Sequence, residues 1–440
     1  MTVWRIKGGR PLRGFTVTPP DKSISHRALL LAALGEGRTR ISPLSAGADN
    51  RSTLALLRQL GVQIEISEDE TEAWVEGVGG PLGLRAKTEL LDCGNSGTTM
   101  RLMCGIAASM VGQTVTLSGD ESLNGRPMSR LLPLTEMGAK ISGVEKNGKI
   151  YPPLTIHGTK LTGCTHKLAV ASAQVKSALL LAGLWAEGDT RVLEPGRSRD
   201  HTERMLVDLG AKLTEEDNSE ICLKPLLKPW NKAHFHVAPD ISSAAFILGA
   251  AMVTESYELE VETAVNPTRS GILDALAAFG LNIERSALPD RGGEPMARLR
   301  LCPGQLRPAE ISGELTLRAI DEIPLIAGLA AFIPGTTKIR DAGELRVKES
   351  DRIETTVALL REFGAKVDEH PDGLDIHGQP ENLRPATINA GHDHRIGLTA
   401  AVMGLGIRGE SIVEGAEIAD VSYPGFANTI ESFGGVITLG

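Results

Sequence analysis

Cationic and hydroxyl side chains gather at the start of a short apolar run near the N-terminus. Lys22, Ser23 and Arg27 come just before apolar residues that end at Gly35. Asp21 predicts an N-cap for a helix beginning at Lys22, and Gly35 predicts a left-handed end to that helix. Helical spacing places Ser23 and Arg27 on one face, with Lys22 beside them. Free N–H groups, the positive helix end and two cations favour phosphate or carboxylate binding; a solvated first turn is the alternative.

Four further polar motifs in the first half add hydrogen-bond donors. They are Cys93-Gly94-Asn95-Ser96-Gly97-Thr98-Thr99-Met100-Arg101, then Asn124-Gly125-Arg126-Pro127-Met128, then Ser172-Ala173-Gln174-Val175-Lys176, then Ser198-Arg199-Asp200-His201-Thr202-Glu203. The glycine-rich motif lacks the Gly-Lys-Ser/Thr ending of a P-loop and is not Gly-x-Gly-x-x-Gly, so nucleotide binding is disfavoured. Small residues there let a ligand approach the backbone closely, and the arginines add charge.

The second half contributes acids among bases. Its motifs are Asp321-Glu322-Ile323-Pro324, Arg346-Val347-Lys348-Glu349-Ser350-Asp351-Arg352 and Gly391-His392-Asp393-His394-Arg395. A salt-bridged helix start is the structural alternative for the charge cluster. The pairs His392/His394 and His234/His236 come without a third ligand at a usual spacing, so we expect no metal site.

The bulk composition limits the classes of protein. A chain of 440 residues favours two domains. A net charge of −9 disfavours non-specific nucleic-acid binding and requires any anion site to be local. Five cysteines, odd in number and without a Cys-x-x-Cys pair, fit a reducing cytoplasm. The sequence contains no long apolar run, so we expect no membrane span.

One pattern recurs six times along the chain, roughly 70 to 80 residues apart. An amphipathic stretch ends at a glycine and is followed by an aliphatic residue, which predicts a surface helix stopped by glycine and then a strand. The glycines are Gly61, Gly138, Gly210, Gly280, Gly364 and Gly434.

A second helix type precedes the surface helix in each repeat. These helices are apolar all round and rich in small residues, which predicts burial. Their expected starts are Lys22, Asn95, Gln174, Ser242, Asp321 and His394. Three repeats lie on each side of the proline-punctuated segment 224–232, which we expect to be the crossover between halves. If the three buried helices of each half run parallel, two facing halves enclose a cleft that attracts anions.

Taken together, the motifs resemble one family. Lys22-Ser23-x-x-x-Arg27, Gly94 to Thr98, Arg126-Pro127-Met128, Ser172 to Gln174, Arg346 to Arg352 and Asp393-His394-Arg395 look like the 5-enolpyruvylshikimate-3-phosphate synthase family, over residues 15–435. The sequence motifs around Ser172 and Arg199, and the motif Asn266-Pro267-Thr268-Arg269, are similar to those of the family's class II branch. Pro20 departs from the glycine often found in class II, and Val421 replaces a class I lysine that contacts phosphate.

The resemblance implies a fold and a division of the chain. It implies an α/β fold, a two-domain inside-out α/β barrel with six repeated units, three per domain. Residues 21–236 would form the first domain, and residues 1–20 with 237–440 the second, with the active site in the cleft between them. A monomer that binds neither nucleic acid nor membrane is expected.

The resemblance also implies a reaction between shikimate 3-phosphate and phosphoenolpyruvate. C3 of phosphoenolpyruvate is protonated, the 5-hydroxyl adds to C2, and phosphate leaves. No metal or organic cofactor is implied. Glyphosate, an inhibitor of the family, would occupy the phosphoenolpyruvate site.

Residue roles follow from the same motifs. Catalytic roles are implied for Asp321, Glu349 and Lys22; substrate-binding roles are implied for Lys22, Ser23, Arg27, Asn95, Gly97, Arg126, Ser172, Ala173, Gln174, Arg199, Asp321, Lys348, Arg352 and Arg395. An enol ether carbon is a poor base and needs a positioned acid. We expect Glu349 to be that acid, and Asp321 to accept the hydroxyl proton.

Two other functions fit parts of the sequence. UDP-N-acetylglucosamine enolpyruvyl transferase shares the chemistry, but it usually has Lys-Asn in place of Lys22-Ser23 and a reactive cysteine on a mobile loop. Cys93 and Cys104 flank a different element. A non-catalytic repeat scaffold that binds polyanions would need neither Asp321 nor Glu349.

Overall fold

The structure, a computed structural model, describes residues 2–86, 89–216, 220–226 and 228–440. The chain divides into two compact units. Unit 1 comprises the residues up to Pro19, Pro239–Asp290 and Pro295–Gly440. Unit 2 comprises Pro20–Ala238 together with the four residues Arg291–Glu294. The grouping of this short segment with unit 2 was not predicted.

The helices carry most of the side chains discussed below. Those of unit 2 are α1 (Lys22–Leu34), α2 (Ala48–Gln59), α3 (Gly97–Ala108), α4 (Glu121–Asn124), α5 (Ala173–Gly183) and α6 (His201–Asp208). Those of unit 1 are α7 (Ile241–Val253), α8 (Gly271–Ala278), α9 (Gly313–Arg318), α10 (Ile323–Ala330), α11 (Arg352–Glu362), α12 (His394–Gly406) and α13 (Phe426–Ser432). Short 3₁₀ helices cover Pro81–Gly83, Ser129–Thr135, Ile320–Glu322, Gly343–Val347, Pro380–Asn382 and Ala416–Val421. Among the described helices, none has the length and apolar character needed to cross a bilayer.

The strands are short and evenly distributed. In chain order they are β1 (Val3–Gly8), β2 (Arg13–Val17), β3 (Glu36–Ser42), β4 (Ile64–Ile66), β5 (Ala73–Val78), β6 (Leu90–Asp92), β7 (Thr114–Ser118), β8 (Lys140–Lys146), β9 (Lys149–His157), β10 (Thr165–Lys167), β11 (Thr190–Leu193), β12 (Leu213–Glu216), β13 (Glu220–Leu223), β14 (His234–His236), β15 (Glu258–Ala264), β16 (Asn282–Arg291), β17 (Glu294–Cys302), β18 (Glu310–Ile311), β19 (Gly335–Ile339), β20 (Lys366–His370), β21 (Gly373–Gly378), β22 (Thr387–Asn389), β23 (Gly409–Glu414) and β24 (Val436–Leu439).

Over the described residues the strands form six four-stranded sheets, which matches the predicted six repeats. The orders are β14-β3-β5-β4, β6-β7-β9-β8 and β10-β11-β13-β12, then β2-β15-β17-β16, β18-β19-β21-β20 and β22-β23-β1-β24. In each sheet the first two strands run parallel and the third is antiparallel to the second. Strands from distant parts of the chain complete three sheets; β1, for example, pairs Val3 with Glu414.

Each repeat contains a buried helix, as the composition predicts. These helices are α1, α3, α5, α7, α10 and α12, and their apolar residues form the cores. Small residues allow close packing. A Cβ on Gly105 of α3 would lie 2.1 Å from the carbonyl oxygen of Ala178 in α5, so glycine is required where these two helices cross.

The six repeat glycines end their helices with positive φ angles, as predicted. The values are +88° at Gly61, +103° at Gly138, +85° at Gly210, +92° at Gly280, +89° at Gly364 and +87° at Gly434. A strand follows each one. The second repeat differs, because Ser129–Thr135 is a 3₁₀ helix with Pro133 inside it, and proline removes a helical hydrogen bond.

Two predictions near Trp230 are wrong. Gly35 ends α1 with φ −74° and ψ −169°, an extended rather than left-handed conformation. Its missing side chain makes room instead, because a Cβ would lie 2.9 Å from Nε1 of Trp230. Trp230 is buried and donates to a carbonyl of α1 at 3.1 Å. Segment 224–232, of which Leu227 is outside the described residues, therefore belongs to unit 2, and the chain passes to unit 1 at Pro239.

Candidate active site

The start of α1 forms as predicted from the sequence. Asp21 caps the helix, and its Oδ1 accepts from the Ile24 N–H at 2.8 Å. Lys22 is the first helical residue, and its ammonium lies 2.9 Å from Oδ2 of Asp49 on α2. Asp49 is a partner that sequence spacing could not identify.

Arg27 is buried at the same helix end and is held by neutral groups. It donates from Nε to Thr202 Oγ1 at 2.6 Å, from Nη2 to Ser177 Oγ at 2.8 Å and from Nη1 to the Ser23 carbonyl at 2.9 Å. Burial lowers the pKa of Arg27 to about 10, and the nearby charge of Arg199 acts in the same direction. The guanidinium is therefore charged at neutral pH, and its hydrogen-bond partners among the described residues are not carboxylates.

His26 belongs to the interior of unit 2. Its Nδ1 lies 2.7 Å from Thr53 Oγ1, which in turn lies 2.7 Å from Thr99 Oγ1. Burial lowers the pKa of His26 to about 3. The imidazole is therefore neutral, and this chain of hydroxyls ties α1 to α3 through α2.

Asn95, Gly97 and Arg126 lie together at the start of α3. Arg126 donates from Nη2 to Asn95 Oδ1 at 2.7 Å and to Ser122 Oγ at 3.0 Å. A Cβ added to Gly97 would lie 3.6 Å from Nη1 of Arg126 and 2.5 Å from Nη1 of Arg101. The glycine thus lets two guanidinium groups approach the helix end.

The Ser172-Ala173-Gln174 motif, predicted to bind substrate, lies at the start of α5. Ser172 is the N-cap, but its hydroxyl makes no capping hydrogen bond, and Ala173 is the first helical residue. Gln174 donates from Nε2 to Thr98 Oγ1 at 2.9 Å and accepts from Arg101 Nη1 at 2.8 Å. The starts of α3 and α5 are therefore adjacent. Arg199, half-buried, lies two residues before α6.

In unit 1, Asp321 is surrounded by cations. Its Oδ1 lies 3.5 Å from Arg352 Nη1 and 3.9 Å from Lys348 Nζ. Its Oδ2 lies 3.9 Å from Arg269 Nη2 and 3.9 Å from Arg395 Nη2. The structure thus brings together Asp321, Lys348, Arg352 and Arg395, all predicted from the sequence. Arg269 was noted only as part of a class II motif.

Glu349 lies beside the same cluster. Its Oε2 is 2.7 Å from Arg352 Nη2, and Arg352 Nε donates to Asp393 Oδ2 at 2.8 Å. Burial would lower the pKa of Arg352, but Glu349, Asp393 and Asp321 outweigh burial and raise it. Although burial opposes the effect, Arg352 lowers the pKa of Asp393. The residues Arg346 to Arg352 therefore form a salt-bridged helix start and also carry the candidate acid.

Glu322 belongs to one of the sequence motifs, but no role was predicted for it. Its side chain is fully buried and lies 2.7 Å from Arg269 Nη1 and 3.2 Å from Arg395 Nη1. Ser242, at the start of α7, donates to the same carboxylate. The starts of α7, α10 and α12 therefore meet, just as those of α1, α3 and α5 meet in unit 2. Its position next to Asp321 was the only sequence signal for Glu322.

One group in the described part of the chain unites three potential metal ligands: Glu136, Cys164 and His166. His166 Nε2 lies 3.3 Å from Cys164 Sγ, and its Nδ1 lies 2.9 Å from Glu136 Oε2. The two close contacts use different ring nitrogens, and one imidazole offers one nitrogen to a metal. This group is a hydrogen-bonded chain rather than a preformed tetrahedral site. His234 belongs to the pair His234/His236, for which the sequence predicted no metal site, and it is hydrogen-bonded to Ser42.

Comparison with known proteins identifies the family. The protein-family model for EPSP synthase (3-phosphoshikimate 1-carboxyvinyltransferase) matches residues 6–430 of the chain. The 3-phosphoshikimate 1-carboxyvinyltransferase of Synechococcus sp. (strain RCC307) is 46% identical over 96% of this chain and 97% of its own. The EPSP synthase structure from Acinetobacter baumannii has a TM-score of 0.86 at 35% identity and covers both chains completely. An enolpyruvyl transferase from Streptomyces tendae shares the fold at 17% identity, with a TM-score of 0.78 over 100% of this chain and 99% of its own. The predicted fold class is confirmed, and the chain belongs to the EPSP synthase family.

Proposed function

We propose that this chain transfers the enolpyruvyl group of phosphoenolpyruvate to the 5-hydroxyl of shikimate 3-phosphate and releases phosphate. The reaction belongs to the shikimate pathway, which leads to chorismate and the aromatic amino acids. The observation that carries the proposal is Asp321, a carboxylate with four cationic side chains within 4 Å. Cations suit two anionic substrates, and the carboxylate suits removal of a hydroxyl proton.

Shikimate 3-phosphate is assigned to residues of unit 2. Ser172, Ala173, Gln174 and Arg199 hold its phosphate, and Ser23 and Arg27 hold its ring and carboxylate. The N-terminal N–H groups of α5 and the Ser172 hydroxyl suit a phosphate, because the positive end of the helix faces it. The neutral partners of Arg27 leave its charge available to an anionic ligand.

Cations of each unit, taken by itself, suit the phosphate and carboxylate of phosphoenolpyruvate. In unit 2 they are Lys22 and Arg126. In unit 1 they are Arg352 and Arg395, with Lys348 beside them. Asn95 orients Arg126, and Gly97 leaves space next to it. Arginine forks match phosphate and carboxylate geometry.

The chemistry proceeds by addition and elimination. Glu349 supplies the proton to C3 of phosphoenolpyruvate, and the 5-hydroxyl oxygen attacks C2 while Asp321 takes the hydroxyl proton. Glu349 then takes a proton back from C3 of the tetrahedral intermediate, the C2–C3 double bond forms again, and the C2–O bond to phosphate breaks, while the proton on Asp321 passes to the departing phosphate. Lys22 and the arginines stabilise the departing phosphate. These steps require no metal or organic cofactor.

Phosphate release in a coupled assay tests the function. We expect turnover with shikimate 3-phosphate and phosphoenolpyruvate, and none when UDP-N-acetylglucosamine replaces shikimate 3-phosphate. If phosphate is released with neither shikimate 3-phosphate nor UDP-N-acetylglucosamine as the acceptor, the result would favour a polyanion-binding scaffold without catalytic activity. The state of two cysteines also disfavours the UDP-sugar reaction, since burial raises the pKa of Cys93 and raises that of Cys104 to about 12. Both thiols are therefore protonated, and neither is a reactive nucleophile.

The proposal includes a monomer that acts in the cytoplasm without nucleic acid. The five cysteines are free, which suits a reducing compartment. Light scattering after size-exclusion chromatography should give the mass of one chain.

A further inference from the structure

A buried cluster of charges lies next to the residues assigned to the phosphate of shikimate 3-phosphate. Lys176 Nζ is 2.7 Å from Glu194 Oε2 and 2.7 Å from Glu203 Oε1. It also donates to the Ser198 carbonyl at 3.2 Å. The side chains of Lys176 and Glu194 are each 1% exposed. No step of the reaction uses this cluster.

The cluster connects three segments that carry the assigned phosphate ligands. Glu194 accepts from the Ser172 N–H at 3.1 Å, and from the Ser198 hydroxyl at 2.6 and 2.8 Å. Ser172 caps α5, and Ser198 directly precedes Arg199. Glu203 lies on α6, so the ammonium of Lys176 joins α5, the loop after β11, and α6.

Stability alone does not account for three buried charges. A buried ion cluster can often be replaced by apolar residues with neutral or favourable effect, because desolvation offsets its Coulomb energy. Apolar residues, however, cannot hold the Ser172 N–H or the Ser198 hydroxyl. Burial would lower the pKa of Lys176, but Glu203 and Glu194 outweigh burial and raise it. Burial raises the pKa of Glu203, against the effect of Lys176.

We infer that Lys176, Glu194 and Glu203 form a positioning cluster that fixes Ser172 and Arg199 for the phosphate of shikimate 3-phosphate. The cluster acts through those residues and does not touch the substrate. Lys176 also compensates two carboxylates that would otherwise repel a phosphate bound nearby. This inference rests on the proposed function.

The test is a comparison of Michaelis constants for the two substrates. Lys176→Met should raise KM for shikimate 3-phosphate at least about tenfold, as expected when a charged hydrogen-bonding network is broken. The KM for phosphoenolpyruvate, and kcat at saturation, should stay within about threefold, because the change affects binding of one substrate. Glu203→Gln, which keeps the side-chain shape, should give a smaller shift in the same direction. Arg191→Met is the matched control, because it breaks a partly exposed ion pair with Glu220 on neighbouring strands, and it should change neither KM.

Two further variants separate positioning from stability. A cavity lined by Lys176, Glu194, Arg197 and Glu203 leaves space beside the ammonium, so Lys176→Arg should keep KM for shikimate 3-phosphate within about threefold. The double variant Lys176→Met with Glu203→Met should recover part of the thermal stability lost in Lys176→Met, because one of the two carboxylates left without the ammonium is removed, but it should keep the raised KM. Recovery of both would show that the cluster is merely structural and overturn the inference.

Failure of the inference is distinguishable from failure of the proposed function. A folded wild-type protein without turnover removes the proposed function. An active wild type with an unchanged KM in Lys176→Met removes only the positioning cluster. Calorimetric titration with shikimate 3-phosphate gives the same decision without turnover: weaker binding by Lys176→Met supports the cluster, and equal binding contradicts it.

Discussion

Several cations assigned to the substrates are held in different ways in the two units. In unit 2, Arg27 donates to hydroxyls and a carbonyl, and Arg126 donates to Asn95 and Ser122. Lys22, the third of these residues, pairs with Asp49 instead, and the positioning residue Lys176 pairs with Glu194 and Glu203. In unit 1, one arginine, Arg352, contacts three carboxylates, which belong to Glu349, Asp393 and Asp321.

The difference concerns what each set of cations can do. A guanidinium held by neutral groups keeps its charge for a ligand, so unit 2 suits binding. Carboxylates placed among cations are held in fixed positions and can exchange protons, so unit 1 suits catalysis. The related starts of α1 and α7 illustrate this. Asp21 and Asp240 both cap their helices, but α7 has no cation of its own and receives Arg269 and Arg395 from other elements.

The largest expected effect tests the catalytic side of the comparison. Glu349→Gln keeps the shape but cannot donate a carboxyl proton, so kcat should fall by roughly 10²–10⁴, the usual range for general acid catalysis. Calorimetry should show nearly unchanged affinity for shikimate 3-phosphate. Glu354→Gln, which changes an exposed carboxylate on α11, the helix that follows Glu349, is the control. A normal kcat for Glu349→Gln would exclude it from proton transfer.

The second prediction compares the two arginines by stability. Arg352→Met removes the arginine partner of the buried Asp393 carboxylate and of the partly buried Glu349, and should reduce the free energy of unfolding by about 3–5 kcal/mol. Arg27→Met leaves only neutral groups, and Ser177 and Thr202 already bond each other at 2.6 Å, so it should cost about 1 kcal/mol. Urea denaturation measures both. Equal losses would refute the contrast between neutral and charged partners.

The third prediction concerns space at the start of α3. A Cβ on Gly97 would lie 2.5 Å from Arg101 Nη1, which would displace that guanidinium from Gln174. Glyphosate is longer than phosphoenolpyruvate. Gly97→Ala should therefore reduce the affinity for glyphosate by roughly ten- to a hundredfold relative to the affinity for phosphoenolpyruvate. The measurements are the inhibition constant and the phosphoenolpyruvate KM. Gly125→Ala is the control, because the nearest atoms to its Cβ are at 3.5 Å. An unchanged ratio would contradict the steric argument.

Local signals predicted the architecture well. A glycine that ends a helix imposes its own φ angle, so the six repeat glycines and the strands after them could be identified from short windows. The predictions failed where a distant residue decides the local structure. Gly35 is required by Trp230, almost 200 positions away, and no local pattern reveals that contact.

The candidate site shows the same limit. The motifs identified Asp321, Lys348, Arg352 and Arg395, which the structure places together. Buried partners such as Glu322 were missed because their importance depends on contacts between helices, not on spacing along one helix. The roles of the individual residues remain predictions.

The smallest expected effect is a pH dependence of folding stability that arises from His26, a buried neutral side chain of unit 2. The pKa of His26 is lowered by burial to about 3, from 6.5. Between these values the unfolded chain binds a proton that the folded chain excludes, so His26 makes stability rise with pH through this window and level off above it. His26→Gln can still hydrogen-bond to Thr53 and has no titrating group, so the urea midpoint should change less between pH 5 and pH 7.5 than in the wild type. His392→Gln, which removes an exposed histidine, should retain the wild-type difference. If His26→Gln shows the same pH dependence as the wild type, His26 is not the buried neutral group that sets the slope.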